Sequence, residues 1–155
     1  MKLRQALRAD IENRHSEAIR LYYEAIESGE ASLDSLLDLS FLVWKYTFDR
    51  QQVNDILQKA GDLFPESRMP LFWKIVFAQQ DNSIILSKRD WTQIIKPLIR
   101  KRTTEIILTI PDDTYAMPRK DLSKLLKHIS KFPTARNLYF RDKILPMLEV
   151  EPRRK

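Results

Sequence analysis

Between His15 and Asp34 the chain reads HSEAIRLYYEAIESGEASLD, and Ala18, Leu21, Tyr22, Ala25 and Ile26 recur there at steps of three and four residues. That period places all five on one face of a helix and excludes a strand, whose faces alternate every two residues. Two of the five are alanines, so a neighbouring helix can approach closely. Gly29 follows where a helix C-terminus favours a left-handed residue, and Ser32 is a natural N-cap for the next helix. The same period continues along the chain. Leu3, Leu7 and Ile11 form one stripe. A helix after Ser32 carries Leu33, Leu36, Leu37, Leu39 and Ser40 through Val43 and Phe48. Another holds Val53, Ile56, Leu57 and Ala60 and ends by Pro65. Helices are also expected over Met69 to Gln80, Asp90 to Arg102, Pro118 to Lys131 and Thr134 to about Leu148, with Pro97 kinking or splitting the second of these. The pattern predicts an all-α fold of stacked antiparallel helical hairpins, either a repeat-like array or an irregular helical bundle. The β-branched stretch TTEIILTIP, residues 103–111, fits a short extended segment near 103–110 or a buried helical turn.

The small and aromatic residues of the first 66 positions resemble the tetratricopeptide repeat family, in whose repeats the second helix carries a small residue, an aromatic four later and a small residue three beyond that. Ala18, Tyr22 and Ala25 have this spacing. The first helix would then run roughly from Lys2 to Glu12, with a turn at Asn13-Arg14-His15 and Ala6 where the family prefers glycine or alanine. A second unit reads from about Ser32 to Pro65, with Ser40 as its small first-helix residue, then Val53, Leu57 and Ala60, and Pro65 as the closing proline. Ala18 and Val53 lie 35 residues apart, against a repeat period of about 34. The first-helix tryptophan of the family is missing, Val53 is larger than the usual alanine, and residues 67–155 hold no clear third copy. What the resemblance implies is a scaffold that binds another protein.

At 155 residues the chain is expected to form one domain, and a domain of that size buries roughly 68–70% of its unfolded surface without staples. Apolar residues at 43% and charged residues at 31% exclude a disordered composition. The absence of cysteine excludes disulfides, thiolate metal sites and cysteine nucleophiles, and fits a reducing compartment. The opening MKLRQALRADIENRH is broken by charge and does not read as a signal peptide, and no apolar run reaches the roughly 18 residues of a membrane span; the expected location is the cytoplasm. Only two glycines exclude loops that cradle phosphates with several glycine amides. Charge is divided unevenly. Residues 1–66 carry 8 basic against 12 acidic side chains, a net −4, and residues 67–155 carry 19 against 9, a net +10. An acidic repeat-like half and a basic helical half predict two different surfaces.

Lys120, Lys124, Lys127 and Lys131 fall within about 60° on a helical wheel, opposite Leu122, Leu125, Leu126 and Ile129. Arg89, Lys96 and Arg100 form a similar stripe, extended by Lys101 and Arg102. Such stripes are the solvated side of amphipathic helices, or sites for an anion, an acidic partner or a phosphate backbone. Phe41, Trp44 and Phe48 lie at i, i+3 and i+7. They read as core packing or as an aromatic groove for a protein partner, as does LFWKIVF at 71–77. His15 and His128 lack the further ligands that zinc needs. Asp112 and Asp113 are explained by turn chemistry. No nucleophile, base and orienter set is spelled out. The reading is therefore a non-enzymatic interaction scaffold without metal or cofactor, whose partner is another protein. The alternatives are a nucleic-acid binder using the C-terminal basic helices and an immunity- or inhibitor-type partner of a toxin. An apolar stripe left uncovered at the end of the array would make a homodimer.

Overall fold

A computed structural model describes residues 1–67, 69–80 and 119–147, and the regular elements among them are all helical. In chain order they are α1 (Lys2–Ile11), α2 (His15–Glu27), α3 (Leu33–Leu42), α4 (Arg50–Leu63), α5 (Met69–Gln80), α6 (Arg119–Lys131) and α7 (Ala135–Tyr139). A wider π-helical turn, Val43–Thr47, extends α3. Another, Phe140–Ile144, extends α7 into a 3₁₀ turn, Leu145–Met147. The helix expected at Asp90–Arg102 and the segment 103–110 lie outside the described residues.

Local chemistry explains where these helices stop. After α1, Asn13 adopts φ 62°; its N–H donates to Asp10 O and that of Arg14 to Ala9 O. After α2, Gly29 adopts φ 82°, with Gly29 N–H donating to Ile26 O and Glu30 N–H to Ala25 O. Both are Schellman turns, in which a left-handed residue lets the chain recover the orphan carbonyls of the last helical turn. Asparagine and glycine are the residues that tolerate this conformation. His15, expected in the turn, is the first residue of α2. Ser32 and Ser35 cap α3 reciprocally: each backbone N–H donates to the other's hydroxyl, at 2.8 and 3.1 Å. Asp49 caps α4 by accepting from Gln52 N–H.

Packing follows the small residues. α1 lies along α2 with Ala6, Ala9 and Asp10 buried against Ala18, Leu21, Tyr22 and Ala25. The Leu3–Leu7–Ile11 stripe is only half-buried, because the close approach is made by alanines and the leucines are left at the flank. α3 contacts α2, α4, α5 and α7, and every residue from Ser35 to Val43 is buried. A helix enclosed on all sides needs no polar face, so its apolar period is weak. Around its C-terminal end the two aromatic stretches meet. Phe41 packs at 6.1 Å from Trp73 and 5.2 Å from Tyr139, while Trp44 stacks on Phe77 at 4.7 Å. α4 packs on α3 and α5, and α7 returns to α3 from far along the chain. Among the described residues no helix is long and apolar enough to cross a membrane.

Candidate functional site

Five helices converge on a buried polar cluster that the apolar pattern does not announce. Asp10 on α1, Asp38 on α3 and Arg136 on α7 are 1%, 4% and 5% exposed, and groups so buried must be hydrogen-bonded or charge-paired. Asp10 Oδ1 accepts from Ala135 N–H at 2.9 Å and Oδ2 from the Tyr22 hydroxyl at 2.9 Å. Asp38 Oδ1 accepts from Arg136 Nε at 2.7 Å and from the Thr134 hydroxyl at 3.2 Å. That same Thr134 hydroxyl caps α7 by accepting from Asn137 N–H. Arg136 also approaches Asp34 at 3.5 Å, and its guanidinium carbon lies 5.4 Å from the centre of the Trp73 ring on α5.

Burial governs the ionisation of this cluster. It pushes the Asp38 carboxyl up to about 7, against the lowering pull of Arg136. Burial also raises Asp10, opposed by the Ala135 amide, the Tyr22 hydroxyl and Arg136. Tyr22 is raised by burial and by the carboxylates of Asp38 and Asp10. For Arg136 burial pulls downward, but Asp38 and Asp34 outweigh it and the group is raised, firmly cationic.

Beside the cluster is a cavity of about 180 Å³. Leu3 and Leu7 of α1, His128 of α6 and nearby Phe132 supply its apolar and aromatic wall, and Tyr22, Asp34, Asp38 and Arg136 its polar end. Asp38 Oδ1 takes both protein donors, and Oδ2 accepts no hydrogen bond from the described residues. Among the described residues, no group of three or more His, Asp or Glu is placed to hold a metal ion.

A second feature lies at the junction of α3 and α4. There the chain turns through a π-helical loop, closed by Phe48 N–H donating to Val43 O at 3.1 Å and by the Thr47 hydroxyl donating to the same carbonyl at 2.7 Å. Phe48 ends the loop at φ 57° with its side chain 79% exposed. Beside it, Tyr46 is 40% exposed and stacks on His15 at 4.0 Å, while Lys45 Nζ lies 5.6 Å from the Tyr46 ring. Burial, then the Lys45 charge, holds His15 below the usual histidine range.

The aromatic residues singled out in the sequence occupy three levels: Phe41 is fully buried, Trp44 half-buried and Phe48 exposed. Of the basic stripe on α6, Lys124, Lys127 and Lys131 are exposed and make no ion pair among the described residues. The side chain of Lys120 lies outside the described residues, as do Arg89, Lys96, Arg100, Lys101, Arg102, Asp112 and Asp113. Leu125 and Ile129 are buried under that stripe, whereas Leu126 is 37% exposed. The sequence reading missed Asp10, Asp38 and Arg136. The available signal was Asp38 itself, an acid inside LLDLS on a helix with apolar residues all round. Compared with protein-family models, with curated proteins and with solved structures, the chain finds no match.

Proposed function

We propose that the chain is a non-enzymatic helical scaffold that binds another protein through the turn at Tyr46–Phe48. The observation that carries this reading is Phe48. Among the described residues three take left-handed backbone conformations, Asn13, Gly29 and Phe48, and only the last of these is a bulky side chain for which that conformation costs about 1–2 kcal/mol. Its phenyl group points to water, where it stabilises nothing in the free molecule. Strain combined with an exposed aromatic is a pattern of binding sites, because aromatic anchors contribute most of the energy of many interfaces. The partner must offer an apolar pocket for the ring. The repeat resemblance belongs to the same reading: Ala6, Ala18, Tyr22, Ala25, Ser40 and Ala60 are all buried, as close helix packing in such hairpins requires.

The test is capture from the source lysate, with and without nuclease, by wild type and by Phe48→Gly, which removes the ring and relieves the backbone. The expected result is a stoichiometric partner on wild type, resistant to nuclease and lost from a fully folded Phe48→Gly. Equal capture by both proteins overturns the reading.

A second reading is favoured by one observation, the exposed Lys124, Lys127 and Lys131 on α6, which make no ion pair among the described residues. Recovery of nucleic acid that collapses on nuclease treatment, with affinity falling steeply as salt rises, supports it.

A further inference from the structure

We propose that the cavity beside Asp38 is a binding site for a small primary amine whose apolar body is about the size of a benzene ring. This is independent of the Phe48 turn, which lies at the other end of α3.

Size sets the first limit. A cavity of roughly 150 Å³ accommodates benzene, so about 180 Å³ admits a ring with roughly two further heavy atoms. The wall sets the second: Leu3, Leu7, His128 and Phe132 offer aliphatic and aromatic surface to a flat apolar body, and ligand sites combine such walls with a few placed polar groups.

The polar end selects the headgroup. Asp38 has a side chain only 5% exposed and borders the cavity; among the described residues both of its donors reach Oδ1 and none reaches Oδ2. A ligand N–H placed at Oδ2 gains a charge-assisted hydrogen bond. The charge balance favours a cation over a neutral donor. Two carboxylates, Asp34 and Asp38, border the cavity against one guanidinium, and Arg136 is already engaged by both and by the Trp73 ring. Behind the cavity Asp10 adds a third carboxylate, bonded to Tyr22 and the Ala135 amide. Lys131 lies over Phe132 at 5.6 Å and does not border the cavity. An anion would meet a net negative charge, and among the described residues no ligand set for a metal ion is grouped there. An ammonium supplies three donors and one positive charge.

The experiment is a calorimetric titration of the full chain with benzylamine at pH 7.5, using benzyl alcohol and benzoate as matched probes. Benzylamine is expected to bind, benzyl alcohol to bind about 10–100-fold more weakly, as loss of a charge-assisted hydrogen bond implies, and benzoate not at all. Leu7→Trp, at a half-buried position on the wall, fills the space and is expected to abolish binding in a protein that still melts cooperatively. Asp34→Asn is expected to weaken benzylamine several-fold, and it keeps the charge argument testable even where Asp38→Asn fails to fold. No heat from benzylamine at 10 mM (on the order of the weakest useful affinity), equal binding of benzyl alcohol, or full binding by Leu7→Trp would each overturn the assignment.

Discussion

Arg136 Nε donates to Asp38 Oδ1 at 2.7 Å although 98 residues of chain separate them. Both side chains are almost wholly buried, so the pair is costly to break and cheap to replace. Arg136→Met is expected to destabilise the protein by about 3–5 kcal/mol, because it leaves a buried carboxyl without its cation. Adding Asp38→Leu is expected to return much of that loss, as apolar replacements of buried ion pairs do. Urea midpoints of the two single variants and the double variant give the coupling directly; additive losses would mean that the pair does not act as a unit.

The same carboxyl sets a pH dependence. Its folded pKa, about 7, lies above the ordinary value of 3.8, so the folded state holds the proton more tightly than the unfolded chain. Its stabilising contribution is therefore complete below about 3.8 and is lost as pH rises to about 7. Asp10 is raised in the same direction. Among the described residues, the groups acting on Asp38 are Asp10 on α1, Tyr22 on α2, Asp34 on α3, and Thr134 and Arg136 at α7, and His128 of α6 borders the same cavity. The advantage of wild type over Asp38→Asn in urea is expected to shrink between pH 4 and pH 7.5. Arg136→Met removes the cation that lowers Asp38, and is expected to carry the decline to higher pH.

Phe48 can be separated into backbone and side chain by two substitutions. Phe48→Gly relieves the left-handed residue, whereas Phe48→Ala keeps a Cβ and with it the strain. Glycine is expected to be the more stable of the two by about 1 kcal/mol, or roughly 2–4 °C in Tm for a chain of this size. Calorimetric melting of both variants checks the ordering, and alanine above glycine would show that the turn is unstrained.

The two glycines should respond in opposite directions. A Cβ at either would meet nothing within 4 Å, so only backbone conformation matters. Gly29 has φ 82°, and Gly29→Ala is expected to cost about 1–2 kcal/mol. Gly61 lies within α4, and Gly61→Ala is expected to gain about 0.5–1 kcal/mol. Chemical denaturation of the two variants suffices to test both signs.

How much of this was legible in the sequence depended on whether the cause was local. Helix period, the Ser32 cap and the Gly29 stop act within a few residues, and the helices at 2–11 and 119–131 fall where that period puts them, whereas the helix expected from Ser32 through Phe48 leaves the α-helical path after Leu42. The Leu3–Leu7–Ile11 stripe marked α1 as a helix but not its most buried face, which is Ala6, Ala9 and Asp10, because closeness of approach, which the alanines permit, decides which face is buried. The polar cluster was invisible for a different reason. Nothing near Asp38 in the sequence names Arg136, and an isolated aspartate in a helix is most simply solvated. Phe48 stood out as an aromatic, but the left-handed backbone that distinguishes it from Phe41 arises from a π-helical turn that no spacing rule anticipates.

The links from Asp10 to Ala135 and from Asp38 to Thr134 span 125 and 96 residues, and they put the acceptors at the front of the chain and the donors at the back. During synthesis, which runs from the N-terminus at about 5–20 residues per second, both carboxylates emerge several seconds before residues 134–136, and only Asp10 has an earlier partner, the Tyr22 hydroxyl. Until then α1 and α3 cannot bury Asp38 and the second oxygen of Asp10 without leaving them unmatched. The first hairpins must therefore wait in a looser, hydrated arrangement, and arrival of residues 134–136 is the event that lets the interior dry and close.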